Sequence, residues 1–482
     1  MCALLASCGS SSTDASADMS APVDASMKAD IDELAELETP DMVSKPDLGD
    51  NMTITQSELL HKSPEDCGSC HEVHLEDWSG SMHAYATKDP IFVAMLQKGI
   101  KETEGKLDQF CIQCHAPVAS KLGDTPVVED SGVHQMPLDR TIPIVEHGVV
   151  CTTCHATTSV EATLNAEFTL EQGAVLYGPS GSDAANEAHV SAGFGEVKSS
   201  SLLTQSLVCG SCHNVVNPKG ALLENTFSEW YAGPFNTGDP SSDKSCQDCH
   251  MPLVEDEVVK GSTRMMRRHT FVGVDLALID DFPQKDRQLK LVEELLQQAA
   301  DLKLQRVNTV NTGIALRVDV KNINNGHALP SGSTADRQVW VHVEVFDQHG
   351  ELVFESGMMD ENGDLMDRVD GHSVTPDGDP DLLMYGSLLF DEEGHHVNFP
   401  WQASRSQDFL LQPGQTGWRE FRIEPEHLDG VTSVMVRATL NYRTFPPFLI
   451  QQLKDEGFLG QDEVPTRVPV VEMATRTISF SL

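Results

Sequence analysis

The sequence predicts an α+β chain in two unlike parts. A mainly helical and loop-built part covers residues 63–272, and a β-sandwich covers 303–482. Three observations predict this. Five copies of Cys-x-x-Cys-His fall between Cys67 and His250 and nowhere else. Period-two alternation, the mark of half-buried strands, is concentrated after residue 303. Between them Leu289, Val292, Leu295, Leu296, Ala299 and Leu302 recur at helical spacing, which predicts a connecting helix within 273–302.

The first part is organised by its motifs. They are Cys67–His71, Cys111–His115, Cys151–His155, Cys209–His213 and Cys246–His250, with starts 44, 40, 58 and 37 residues apart. Cys-x-x-Cys-His is the attachment signature of c-type haem. Two thiols add to the haem vinyl groups, and the adjacent His reaches the iron. The expected cofactors are therefore five covalently bound haem c groups. Their thioethers would form on Cys67, Cys70, Cys111, Cys114, Cys151, Cys154, Cys209, Cys212, Cys246 and Cys249. The proximal ligands would be His71, His115, His155, His213 and His250. Zinc is disfavoured, because a tetrahedral thiolate site needs two Cys pairs and five pairs leave one over. Low local regularity and only 6% aromatic residues suit a core built of macrocycles, with short helices and long loops wrapped around them.

Ten of the 12 Cys lie in these motifs, and the other two are Cys2 and Cys8. Leu5-Ala6-Ser7-Cys8-Gly9 matches a bacterial lipobox, so residues 1–8 read as a truncated lipoprotein signal with Cys8 as the lipidated residue. Residues 9–62 are rich in Ser, Asp, Glu and Ala and read as a disordered acidic tether, with Asp32–Glu38 as a transient helical turn. Haem attachment to this motif takes place outside the bacterial cytoplasmic membrane. The expected location is thus periplasmic or cell-surface in a Gram-negative bacterium, at the outer membrane through a lipid anchor. No segment has the 18 or more apolar residues of a membrane-spanning helix. The formal net charge of -41 argues against nucleic acid and anionic lipid as partners and favours cationic ones.

The sixth iron ligand decides what each haem does. Two His ligands close the iron and leave it to pass electrons, whereas an open position admits substrate. Spare His residues in reach of the motifs are His61, His74, His83, His134, His147, His189, His269 and His327. Five ligands can be drawn from these eight. His189 is nominated by its position upstream of Cys209, with His134 as its rival. His74 follows His71 by three residues and would share its helix face, which suits a hydrogen bond to a propionate. Arg264, Arg267 and Arg268 are expected to pair with propionates, with partner docking as the other reading.

Specific segments carry a resemblance. The run Cys67-Gly-Ser-Cys-His-Glu-Val-His-Leu-Glu-Asp-Trp-Ser-Gly-Ser-Met-His83-Ala resembles the multihaem cytochromes related to hydroxylamine oxidoreductase and its tetrahaem partner. So do Glu146-His147-Gly-Val-Val-Cys151, the stretch from Ser206 through Trp230 to Pro252, and Arg268-His269-Thr-Phe271. That resemblance covers about residues 63–345, with a weaker match near 442–450. It implies distal-ligand roles for His83, His147 and His269. Asn325-Gly-His-Ala-Leu-Pro330, Arg337-Gln-Val-Trp-Val and Tyr442-Arg-Thr-Phe-Pro-Pro447 resemble a β-domain at the C-termini of exported multihaem cytochromes. This implies that His327 reaches across the domain boundary to a haem.

In the second part, Ile314–Val320, Val339–Phe346, Glu351–Glu355, Arg419–Ile423 and Val434–Tyr442 alternate like strands, consistent with a sandwich of about seven. The acidic loops Asp360–Asp364 and Asp377–Asp379 lack complete EF-hand spacing and read as ordinary turns. His395 and His396 sit in an exposed acidic loop. No nucleophile, base and orienter set is present. The leading expectation is an electron carrier with no catalytic residues, working with redox partner proteins such as other cytochromes or a quinol-linked donor, with extracellular acceptors as one destination. The alternatives are a reductase or oxidase of a small nitrogen or sulfur compound, and a subunit of a conductive assembly. Pentahaem nitrite reductases usually carry a Cys-x-x-Cys-Lys, which this chain lacks.

Overall fold

Closely spaced caps and prolines keep the helices of the first part short. The computed structural model describes residues 55–307, 313–366 and 378–482. Capping boxes start helices at Thr55 with Glu58, Ser63 with Asp66 and Ser245 with Asp248. Prolines occupy the first helical position at Pro64, Pro90, Pro117 and Pro143. Helix α1, Pro90–Glu102, is capped by Asp89 and buries Ile91, Ala94, Leu96 and Ile100. Small two-stranded ribbons stitch the loops, among them the hairpin of β1, Leu253–Val259, with β2, Ser262–Arg267.

The packed chain starts earlier than the predicted tether boundary. Helix Gln56–Leu60 buries Leu59 and Leu60, so these residues belong to the folded part and not to a tether reaching 62. The lipobox, Cys8 and Asp32–Glu38 lie outside the described residues. Among the described residues no helix is long and apolar enough to cross a membrane.

The connecting helix also differs from expectation. Helix α2 spans Lys285–Ala299, and β3, Ala300–Val307, begins at the next residue. Leu302 thus belongs to a strand. Ala300, Leu302 and Leu304 are buried at alternating positions, and strand pairing overrides the helical periodicity there. Strand β3 pairs with β4, Ile314–Asn322. The remaining strands are β5, Gln338–Phe346; β6, Leu352–Ser356; β7, Leu383–Phe390; β8, His396–Val397; β9, Arg405–Phe409; β10, Thr416–Ile423; β11, Ser433–Arg443; and β12, Val471–Ser481. They form two antiparallel sheets. One has the order β3-β4-β10. The other runs β8-β7-β5-β11-β12, with β6 beside β5 and β9 beside β7.

Both sheets contribute to one core. Leu302, Leu316, Val318 and Val320 join Val339, Val341, Val343, Val436 and Leu440, and α2 adds Val292 and Leu296. A second core crosses the predicted domain boundary. Ile91, Leu96, Ile100 and Ile112 pack with Phe399, Trp401 and helix α3, Pro447–Asp455, through Leu449, Ile450 and Leu453. The helical and β parts therefore share buried surface and are not independent globules.

Candidate haem-binding centre

A one-turn helix underlies each motif. His71 N donates to Cys67 O at 3.0 Å, and His213 N to Cys209 O at 3.0 Å, so the His projects from the same turn as the first Cys. Motifs distant in sequence meet through their thiols. The Cys67 thiol lies close to that of Cys151, Cys114 to Cys212, and Cys209 to Cys246.

The imidazoles of all five motifs have an acceptor at Nδ1. The Nδ1 of His71 faces Val258 O at 2.8 Å, that of His115 faces Ala86 O at 3.3 Å, and that of His155 faces Tyr177 O at 2.7 Å. His213 Nδ1 faces Glu224 Oε1 at 3.0 Å, and His250 Nδ1 faces Val272 O at 2.6 Å. An acceptor at Nδ1 fixes the proton there and leaves the Nε2 lone pair for a metal. Three of the predicted distal residues repeat the pattern. His189 Nδ1 faces Ala185 O at 2.8 Å, His269 Nδ1 faces Arg267 O at 3.0 Å, and His327 Nδ1 faces Ala328 O at 3.0 Å.

These rings come in pairs. His71 and His189 lie 6.0 Å apart between centroids, His155 and His269 6.4 Å, and His250 and His327 6.4 Å, all with rings inclined by less than 30°. Two imidazoles on opposite sides of one iron, each with a metal–nitrogen bond of ~2 Å, put their centroids about 6.3 Å apart. The residues present therefore fit haem iron at three positions.

His115 and His213 have no such partner ring among the described residues. Phe92 of α1 stacks on His115 at 3.8 Å and 8°. His83 lies where His213 and His115 both act on it, its ring 4.6 Å from Phe271, and burial pushes its pKa down to about 3. The ring neighbour of His147 is Trp78, at 5.9 Å between centroids. Its Nδ1 is 3.3 Å from Lys88 Nζ and its Nε2 is 3.7 Å from Glu65. His74 sits between His71 at 5.5 Å and His269 at 4.6 Å, its Nδ1 buried and unpartnered, and burial lowers its pKa to about 4. His61 pairs with Asp124, and His134 approaches Glu129 on a surface ribbon.

Two of the three arginines expected at propionates have protein partners. Arg267 Nη2 donates to Asp248 at 2.6 Å, and Arg268 Nη2 to Asp256 at 2.6 Å. Sequence reading missed the residues that steady the ligands. Asp77, with its side chain 1% exposed, accepts from His269 N at 3.1 Å and from Arg287 at 2.7 Å. Glu229 accepts from Ala328 N beside His327 at 3.0 Å. Glu224 holds His213. These are carboxylates placed by tertiary contact, which no local pattern marks. In the acidic loops, Asp360 Oδ1 accepts from Asn362 N and Asp364 N at 2.9 and 2.8 Å, so it caps its own turn. In the group Asp391, Glu393 and His395 the first residue is half-buried and the other two are exposed, and the group carries no further sign of a ligand.

Residues 79–220 match the family described as Cytochrome c552. Among solved structures, a penta-haem cytochrome c552 from Thermochromatium tepidum superposes with a TM-score of 0.62 at 22% identity, covering 88% of this chain and 100% of that one. The chain shares that protein's fold. No curated protein matches the sequence. The family match covers less than half of the chain, and the structural likeness is one of fold.

Proposed function

We propose that the chain is an exported electron-transfer cytochrome that holds five covalently attached haem c groups and relays electrons between redox partner proteins. The observation that carries this reading is the set of eight imidazoles, each with Nδ1 committed to an acceptor and Nε2 free, six of them in pairs spaced for one iron. Haem supplies one-electron chemistry when bound. The protein supplies axial ligands, thioether anchors and a buried environment that sets potential.

In this reading His71 pairs with His189, His155 with His269, and His250 with His327. The close thiols order the groups: the first motif lies beside the third and the fourth beside both the second and the fifth. Burial of Cys154 near Cys212 links the third to the fourth. Electrons would run through motifs one, three, four and five, with motif two branching from four. The β part, two sheets around one core, reads as a sandwich that closes the fifth haem through His327. Export and a lipid anchor at Cys8 on the outer membrane remain part of the proposal on the strength of the lipobox and the attachment chemistry.

A second reading rests on a specific observation. His115 and His213 have one candidate, His83, between them, and His147 faces Lys88 and Glu65 instead. One iron would then be open to a small ligand, most simply the one on His115. Haem quantification as the pyridine haemochrome tests the count, and a result other than five overturns the proposal. Low-temperature EPR tests the ligation. Five low-spin signals would leave only the closed carrier, and one high-spin signal that responds to cyanide would establish an open iron.

A further inference from the structure

Among the motif thiols two are exposed, Cys70 of the first motif and Cys249 of the fifth. Both motifs have paired imidazoles that fit one iron, His71 with His189 and His250 with His327. Both also stand at the ends of the proposed relay. A haem edge anchored at an exposed thiol is within reach of another protein. The two surroundings differ. The exposed chain neighbours of Cys70 are Glu65, Asp66, Ser69 and Glu72, all polar. Cys249 adjoins apolar surface.

That surface is the outer face of the hairpin of β1 and β2. Leu253 lies opposite Arg267, and Glu255 opposite Met265. Residues two apart on a strand share a face, so these four side chains stand on the same side. Leu253 and Met265 are each 56% exposed, the highest value among the large hydrophobic side chains of the described residues. The other face is the packed one, where Val258 and Met266 are buried. Arg267 ties the hairpin to the fifth motif. Its Nη1 donates to Gln247 O at 2.8 Å and to Met251 O at 3.1 Å, and its Nη2 donates to Asp248 at 2.6 Å. Arg268 N donates to Pro252 O at 3.0 Å. Leu253, four residues after Cys249, is thereby held beside the motif.

Charge sets this patch apart from the rest of the chain. Residues 248–268 carry four acidic and four basic side chains, whereas the whole chain has 74 acidic and 33 basic. A locally neutral apolar centre loses little hydration when it is covered, and Met at the centre with charge at the rim is an interface composition. The field around it comes from a formal net charge of -41 and draws cations. A neutral apolar centre in negative surroundings complements a redox protein whose reactive edge is apolar and ringed by Lys.

We propose that the outer face of the β1–β2 hairpin, beside Cys249, docks a cationic haem protein that exchanges electrons with the fifth haem. The proposal rests on the haem assigned to His250 and His327. One electron crosses the contact. The fifth iron and the partner's iron change oxidation state by one in opposite senses, and no bond forms or breaks.

The test is stopped-flow electron transfer between the purified five-haem protein and a lysine-rich monohaem cytochrome c, at about 300 mM salt, where attraction between distant charges is screened. The variant is Leu253→Ser with Met265→Ser. Both side chains are exposed, so their loss leaves the packed face of the hairpin intact. The second-order rate is expected to fall roughly tenfold, as truncation at the centre of an interface does. Haem content, midpoint potentials and EPR spectrum stay unchanged. Leu352→Ser, at a site 48% exposed on β6, is expected to keep the wild-type rate. An equal rate in the double variant, an equal loss in Leu352→Ser, or no exchange with the cationic cytochrome overturns the docking face. Sedimentation covers the other occupant: a wild-type dimer that the double variant dissolves would give the face to a second copy of the chain and overturn the proposal. A haem count below five brings down the functional reading; five haems with exchange indifferent to Leu253 and Met265 bring down the docking face alone.

Discussion

Glu229 reaches from helix Thr226–Tyr231 to the loop that presents His327, accepting from Ala328 N at 3.0 Å and Ser331 Oγ at 2.8 Å. The approach is close. A Cβ on Gly233 would come within 2.3 Å of Gly326 O, and one on Gly326 would press the Trp230 ring at 3.0 Å. A positioning carboxylate of this kind need not be ionised, since an amide oxygen accepts the same two bonds. Glu229→Gln is therefore expected to keep the low-spin EPR signal of the His250 haem, whereas Glu229→Ala broadens it or turns it high-spin and costs about 1–3 kcal/mol by leaving buried donors unmade. An unchanged spectrum in the alanine variant would remove Glu229 from this role. The same scale shows what a sequence exposes. Thioether chemistry needs two thiols and a His within one helical turn, so the five proposed attachment sites are contiguous and legible. A distal ligand has no such constraint, and the proposed ones His189 and His327 meet His71 and His250 only through the fold. His147 carries the right local pattern, yet its surroundings are Lys88 and Glu65.

At the scale of elements, local pattern and tertiary pairing compete. Five of the ten described strands of the β part were legible, because one face is buried and the alternation is clean, as in Val339, Val341, Val343 and Val345 of β5, while β3, β7, β8, β9 and β12 were not. Strand β3 was hidden because Ala299 and Leu302 continue the helical spacing of α2, and only pairing of Ala300–Val307 with β4 ends the helix there. Helix α3 has another consequence. Leu453 is fully buried in the core shared with α1. Truncating such a side chain removes transfer energy and leaves a cavity, about 2–5 kcal/mol. Leu453→Ala should lower the unfolding free energy by that amount, read as a lower denaturation midpoint, with haem content intact. A loss below about 1 kcal/mol would mean that α3 docks loosely.

The whole molecule is governed by its charge and its shared cores. With a formal net charge of -41, association with a cationic redox partner should slow steeply as salt rises, because steering between opposite charges is screened within ~10 Å at 0.1 M. Stopped-flow electron transfer at 20 and 300 mM salt measures this, and a salt-independent rate would point to an apolar contact. The shared cores predict more. The β part covers Ile91, Leu96 and Ile100 of α1 with Phe399, Trp401, Leu449 and Ile450, and it also supplies His327. A chain ending after residue 301 loses both together. It is expected to expose a large apolar face, to aggregate during maturation and to accumulate little haem protein. Whatever soluble fraction survives should lack the His250–His327 pair and show a high-spin haem. Co-expressing residues 302–482 as a separate chain should restore low-spin ligation if the two parts recognise each other through that core. A soluble fragment with five low-spin haems would show that the β part is an appendage, and that the fifth iron takes its distal ligand from the motif region itself.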